Sequence, residues 1–185
     1  MNLQNSCRAA LLGGLGTPSD ELASGIMPLG SLLCFHNGEL VELDSNLVPS
    51  AARTYLLKAG VAGLSQITTW YGVPFAAFVD PTAALTASNF NATLTEFINY
   101  TQTVRPTWAQ DAEAGQAIAN ATTLMSITID VGAALSIAGF ALSSTSIKGG
   151  AGGLLLAAMK FAAARAVQPG DVLQFQYTLQ ALAGP

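Results

Sequence analysis

Leu173-Gln174-Phe175-Gln176-Tyr177-Thr178-Leu179-Gln180 alternates apolar and polar side chains without a break. A period of two is what a strand buried on one face requires, because successive side chains point to opposite sides. Upstream, Met125, Ile127, Ile129 and Val131 alternate in the same way with Ser126, Thr128 and Asp130. Both patterns predict half-buried antiparallel strands. Pro169-Gly170-Asp171 supplies the turn into the last one. With further short strands at regular spacing, the fold class is mainly β: an antiparallel β-sandwich or jelly-roll-like domain with an N-terminal arm, a hairpin and one short helix.

Gln66–Tyr71, Phe75–Val79 and Thr93–Thr101 are the further strand candidates, with Gly72 and Pro74 interrupting and Asp80-Pro81 ending the second. Leu154–Val167 is divided: its alanine content favours helix, its place between β segments favours strand. Ser31–Phe35 and Glu39–Leu43 flank His36-Asn37-Gly38, and Asn-Gly between apolar runs predicts a tight hairpin. Pro49 suits the start of a helix in which Ala52, Tyr55, Leu56 and Ala59 form one face, stopped at Gly60 or Gly63. Residues 1–30, rich in Gly, Ala and Ser with Pro18 and Pro28, read as an extended arm with one short helix near Gln4–Leu12. The division is an arm over 1–30, a hairpin plus short helix over 31–64, and a β-sandwich domain over 65–185.

The chain is 51% hydrophobic yet carries only seven basic and eleven acidic residues. A monomer of this mass exposes roughly 8,000 Å², about one charge per 450 Å² even with every charge outside. Such a surface points to cover by neighbouring chains, hence to an assembly component. A net charge of −4 and scattered basic residues exclude an ordinary nucleic-acid binder. Met125–Leu142 is interrupted by Asp130, and Gly149–Val167 by Lys160 and Arg165, so neither is a membrane span. Ala9–Leu12 is too short for the hydrophobic region of a signal peptide. The sequons at Asn91, Asn99 and Asn120 are therefore expected to carry no meaning. Cys7 and Cys34 are far apart and read as reduced, buried thiols.

Chemistry is sparse. His36 is the single histidine and sits at the hairpin turn; Cys34, two residues earlier, shares its strand face but stands about 7 Å off, too far to pair directly. Glu39, Glu42 and Asp44 on the hairpin, and Asp111 and Glu113 on a polar loop, read as solvated charges. No calcium loop, histidine ligand pair or phosphate loop occurs, so no catalytic residue, cofactor or metal is assigned. Tyr100–Trp108 is the most distinctive string. It reads either as a ligand platform, with Tyr100 and Trp108 stacking on a sugar or base and Arg105 anchoring it, or as a structural segment. In the structural reading Trp108 plugs the core and Arg105 bonds a nearby carbonyl or carboxylate.

Asp44-Ser45-Asn46-Leu47-Val48, Thr69-Trp70-Tyr71-Gly72-Val73, Phe97–Tyr100, Arg105-Pro106-Thr107-Trp108, Ser146-Ile147-Lys148-Gly149-Gly150 and Gly170-Asp171-Val172-Leu173 follow one another in order. Together, over about residues 39–180, they resemble a family of small β-rich virion structural proteins of tailed bacteriophages. The resemblance implies a non-enzymatic particle component, and it turns Leu154–Val167 toward strand. Pro74 departs from the pattern, where an unbroken strand is expected, and puts the pairing there in question.

Composition and resemblance together set the functional expectation: a capsid decoration (cement) protein that stabilises the lattice of the major capsid protein. It would act as a homotrimer, located in the virion and assembled in the host cytoplasm, with no nucleic-acid or membrane partner. The alternatives are a tail or head–tail junction component and a carbohydrate-binding receptor module using Trp70, Tyr71, Tyr100 and Trp108.

Overall fold

The computed structural model describes residues 26–130 and 135–183. Its strands are β1 (Ile26–His36), β2 (Glu39–Ser45), β3 (Tyr71–Phe75), β4 (Ala117–Ala119), β5 (Met125–Thr128), β6 (Leu135–Ser143), β7 (Leu155–Val167) and β8 (Val172–Ala183). Helix α1 spans Ser50–Val61, and a single helical turn, α2, spans Phe90–Thr93. One sheet runs β2-β1-β8-β4, with β5 also paired to β8; the other runs β3-β6-β7. Every strand pair is antiparallel.

The alternation decides which faces meet. In β8, Leu173, Phe175 and Tyr177 are buried while their polar neighbours remain half-exposed; in β5, Met125 and Ile127 are buried in the same manner. These side chains form the main core with Leu32 and Cys34 of β1, Phe140 and Leu142 of β6, and Leu156 and Phe161 of β7. Phe140 and Phe175 stack across the two sheets at 4.2 Å.

β6 is buried from Ile137 to Ser143, so the outer face of its sheet needs cover as well. The connection after β3 provides it: Leu85, Phe90 and Leu94 pack on Val73, Phe75, Ala138, Ala141, Leu155 and Ala158 in a second core. Gly139 permits this closeness, since a Cβ there would collide with the Phe75 ring and the Met159 carbonyl.

Leu155–Val167 is strand despite its alanines, because β6 pairs with it over Leu155–Lys160 and again over Arg165–Val167, and both faces of its first half are buried. The short helix and the hairpin stand where expected, and Asn37 (φ 51°) and Gly38 (φ 85°) make the turn with left-handed backbone at both central residues. His36 itself ends β1 and does not form part of the turn.

Several expectations need correction. Ile26–Gly30 belongs to β1, paired with Leu179–Ala183, and is not arm; residues 1–25, with the Gln4–Leu12 helix and Cys7, lie outside the described residues, as does Val131. The hairpin is built into the sandwich, since β1 lies between β2 and β8. Gln66–Trp70 carries no ladder, and only Phe75 of Phe75–Val79 is strand. Thr93–Thr101 is not a strand either. It leaves α2, turns through Thr95 at φ 54°, and pairs its backbone with the sheets only at the isolated bridges Phe75–Glu96 and Tyr100–Ile129. Covering a sheet from outside requires a chain that bends, and bent chain forms no regular ladder.

Both strand prolines face an edge. Phe97 N donates to Pro74 O (2.8 Å), so the backbone of Pro74 points away from β6 and its missing N–H removes no ladder bond. Pro28 faces away from β8 in the same way. Ala181, its partner in register, donates to Gln116 O (3.0 Å), and two residues on Gly30 O accepts from Asn46 N (2.9 Å).

Candidate functional site

The Arg105-Pro106-Thr107-Trp108 string and the Ser146–Gly150 string, about 40 residues apart in sequence, meet around one buried guanidinium. Arg105 Nε donates to Glu96 Oε1 (2.9 Å) and Nη2 to Glu96 Oε2 (2.6 Å), a bidentate pair whose side chains are 2% and 1% exposed. Nη1 donates to Ser143 Oγ (3.3 Å) and Thr145 O (3.0 Å), and Nη2 also to Gly150 O (3.0 Å). All five guanidinium N–H donors therefore have acceptors, the condition under which a buried charge is tolerable. Glu96 Oε2 further accepts from Gly149 N (2.8 Å). The main chain closes the node, with Arg105 N donating to Ser146 O (2.9 Å).

Lys148 belongs to the same cluster. Its Nζ donates to Tyr100 O (2.8 Å) and Gln102 O (2.9 Å) and lies 3.8 Å from the Tyr100 ring centroid. Burial lowers its pKa from the ordinary lysine value, against the raising influence of Glu96 and Asp130. Tyr100 is pushed up, first by burial and then by Glu96.

Trp108 is 3% exposed and donates from Nε1 to Asn120 Oδ1 (3.1 Å) and Tyr177 O (3.2 Å). Asn120 is fully buried where the partner of β8 changes from β4 to β5. Its Oδ1 accepts from Tyr177 N (2.7 Å) and its Nδ2 donates to Phe175 O (3.1 Å), so one carboxamide replaces a strand peptide in the gap. The sequon at Asn120 is thus a structural amide.

At the other end of the sheet two turns are tied together. Asn37 Nδ2 donates to Asp171 Oδ1 (3.0 Å), Gln168 N to Asp171 Oδ2 (2.8 Å), and Val172 N to Asn37 Oδ1 (2.8 Å). His36 Nε2 lies 2.9 Å from Asp171 Oδ2. The bond from Asn37, then that from Gln168 and the contact with His36, hold the Asp171 carboxyl down at about 2.

The catalytic option at Cys34 does not assemble. Cys34 is fully buried, and burial raises its thiol to about 12, with Arg165 lowering it and Glu42 raising it. Glu42, read from sequence as solvated, is instead buried on β2 and staples the two sheets: Arg165 Nη2 of β7 donates to its Oε2 (2.9 Å) and also to Val41 O. Asp111 Oδ2 accepts from Thr122 N (3.1 Å), tying the chain before β4 to the chain after it, and Glu113 Oε1 accepts from Gln116 N (2.7 Å) in the turn into β4. Among the described residues no group of three or more His, Cys, Asp or Glu is placed to hold a metal, and no helix is long and apolar enough to cross a membrane.

The ligand platform is also withdrawn by burial. Trp70, Tyr100 and Trp108 are 4%, 2% and 3% exposed, so their ring faces are spent on the core, and Tyr71 alone is half-exposed. A concavity beside Arg105, lined by Val73, Phe90, Ser143, Gly150 and Leu155, is scarcely wide enough for one water.

Glu96 and Ser143 escaped the sequence reading because nothing local marks them as partners of Arg105. The outward side of α1 leaves Leu57 and Val61 exposed. Compared with known proteins, the chain matches no protein-family model and no curated protein, so its sites rest on the chemistry of its own residues.

Proposed function

We propose that this chain is a non-enzymatic virion structural protein of a tailed bacteriophage, a capsid decoration protein that grips the major capsid lattice as a homotrimer. One observation carries the reading. The polar chemistry of the chain is turned inward to fasten its own loops, while apolar side chains are left outside on a charge-poor surface. Leu57, Val61 and Ile147 are 67%, 86% and 65% exposed, and Leu40, Phe78, Val79, Ile98 and Val104 about half-exposed. Arg105, Lys148 and Trp108, the residues best suited to hold a ligand, are committed to internal acceptors. A protein so built gains from neighbours that cover it and offers little to a small substrate.

Copy number in purified virions, measured by quantitative mass spectrometry against the major capsid protein, tests the proposal. Hundreds of copies per particle are expected for a decoration protein. A number near a dozen or below transfers the chain to the tail or the head–tail junction, and absence from particles overturns the virion reading.

A further inference from the structure

Asn37-Gly38 forms the tip of the β1–β2 hairpin, and both residues are exposed. In this pair a carboxamide precedes the least hindered backbone nitrogen a chain can offer, because glycine has no Cβ. Nothing stands within 4 Å of where a Gly38 Cβ would lie, so the pair is open to solvent on that side.

The chemistry open to such a pair is deamidation. Gly38 N attacks Asn37 Cγ and closes a cyclic imide. The Cγ–Nδ2 bond breaks, and Nδ2 leaves as ammonia with the proton released from Gly38 N. Water then opens the ring at either carbonyl. One product is aspartate with the ordinary backbone; the other is isoaspartate, with the chain routed through the side chain.

The fold holds that reaction back. Asn37 Nδ2 donates to Asp171 Oδ1 (3.0 Å), and Asn37 Oδ1 accepts from Val172 N (2.8 Å). The main chain adds a third bond, from Asn37 N to Val172 O (2.8 Å). Both ends of the carboxamide are therefore engaged by the turn before β8, and neither is directed along its own chain to Gly38 N. Attack on Cγ requires the carboxamide to rotate toward Gly38, which it does only when the two turns part. Asp171 is itself fixed, its Oδ2 accepting from Gln168 N (2.8 Å) and lying 2.9 Å from His36 Nε2.

Deamidation would also undo the clasp that prevents it. The group lost is the donor 3.0 Å from Asp171 Oδ1, and its replacement by oxygen sets one carboxylate against another.

We propose that Asn37 is a site of spontaneous deamidation gated by the Asp171 clasp: the closed turns protect the amide, and once opened they lose it and cannot close as before. This one-way change in the hairpin does not depend on the function proposed above.

Peptide mapping of the full chain by mass spectrometry, during incubation at neutral pH, tests the gate. Asp171→Ala removes one end of the clasp and leaves Val172 N in place. Deamidation at Asn37 should then run about tenfold faster or more than in the wild type, the effect on local opening of deleting a hydrogen bond to a charged group. Circular dichroism establishes whether this variant keeps its strand content. A second pair of variants is independent of it. Asn37→Asp, which reproduces the aspartate product, should lower the urea midpoint at neutral pH. Asn37→Asp with Asp171→Asn should recover it, because a donor and an acceptor again face each other. Deamidation no faster in folded Asp171→Ala than in the wild type overturns the proposal. So does a folded wild type that deamidates as fast as the urea-unfolded chain, or an unfolded chain that does not deamidate at Asn37. If Asp171→Ala does not fold, the exchanged pair decides: a midpoint unchanged in Asn37→Asp, or not recovered in the double variant, removes the clasp.

Discussion

Arg105 is the residue on which the loop layer depends. Its charge is removed from water, and only the carboxylate of Glu96 and the acceptors on Ser143, Thr145 and Gly150 offset that cost. Arg105→Ala leaves Glu96 buried and unpaired, and urea denaturation should show a loss of about 3–5 kcal/mol. Replacing both, Arg105→Met with Glu96→Leu, should cost clearly less than the two single changes summed, since no lone charge remains. Asn120 acts through neutral groups. Asn120→Ala strands the Tyr177 N–H and removes the carboxamide donor from the Phe175 and Thr123 carbonyls, while the Trp108 indole keeps Tyr177 O, and thermal unfolding should report a loss of about 2–4 kcal/mol, at about 1–3 kcal/mol per buried group with partial relaxation. Arg105 and Trp108 were legible in the sequence as structural residues. Glu96 and Asn120 were not, because an acid nine positions away and an amide in a sequon become partners only when the chain is folded.

At the scale of elements, the β1–β2 hairpin and the turn before β8 are held together by Asp171. Its carboxyl titrates at about 2 in the folded chain, below its ordinary value of 3.8. A depressed folded pKa means stability that is present above the unfolded value and is lost as pH falls through the folded one. The urea midpoint should therefore drop between about pH 4 and pH 2. Asn37→Gly keeps the left-handed turn but removes the largest stabiliser of the carboxylate, so the drop over that window should be shallower in the variant. Element identity itself divided along clear lines. β5 and β8 alternate and were legible, as were the Asn-Gly hairpin and α1. β7 was ambiguous because alanine is a good helix former, and only the partner strand β6 settles it. The segment after α2 misled because Thr, Phe and Ile favour strands in general, whereas here Leu94 packs on the outer face of the second sheet, Phe97 joins the main core and Ile98 is half-exposed.

For the whole molecule, β8 is the strand on which the larger sheet converges. It pairs with β1 on one side and with β4 and β5 on the other, and its Phe175 and Tyr177 reach the centre of the main core. A chain ending before Val172 should lose near-ultraviolet ellipticity and cooperative unfolding together, because one face of the core and the partner of three strands leave at once. The sequence by itself determined the fold class, the inward stripe of α1, the hairpin and the poverty of surface charge, because period, turn chemistry and composition are local properties that need no partner. The tertiary structure alone decided that the hairpin is part of the sandwich, that a loop layer covers the second sheet, and that Glu96 neutralises Arg105. Each of these depends on residues distant in the chain being brought within a few ångströms or left apart, and no local pattern encodes such distances.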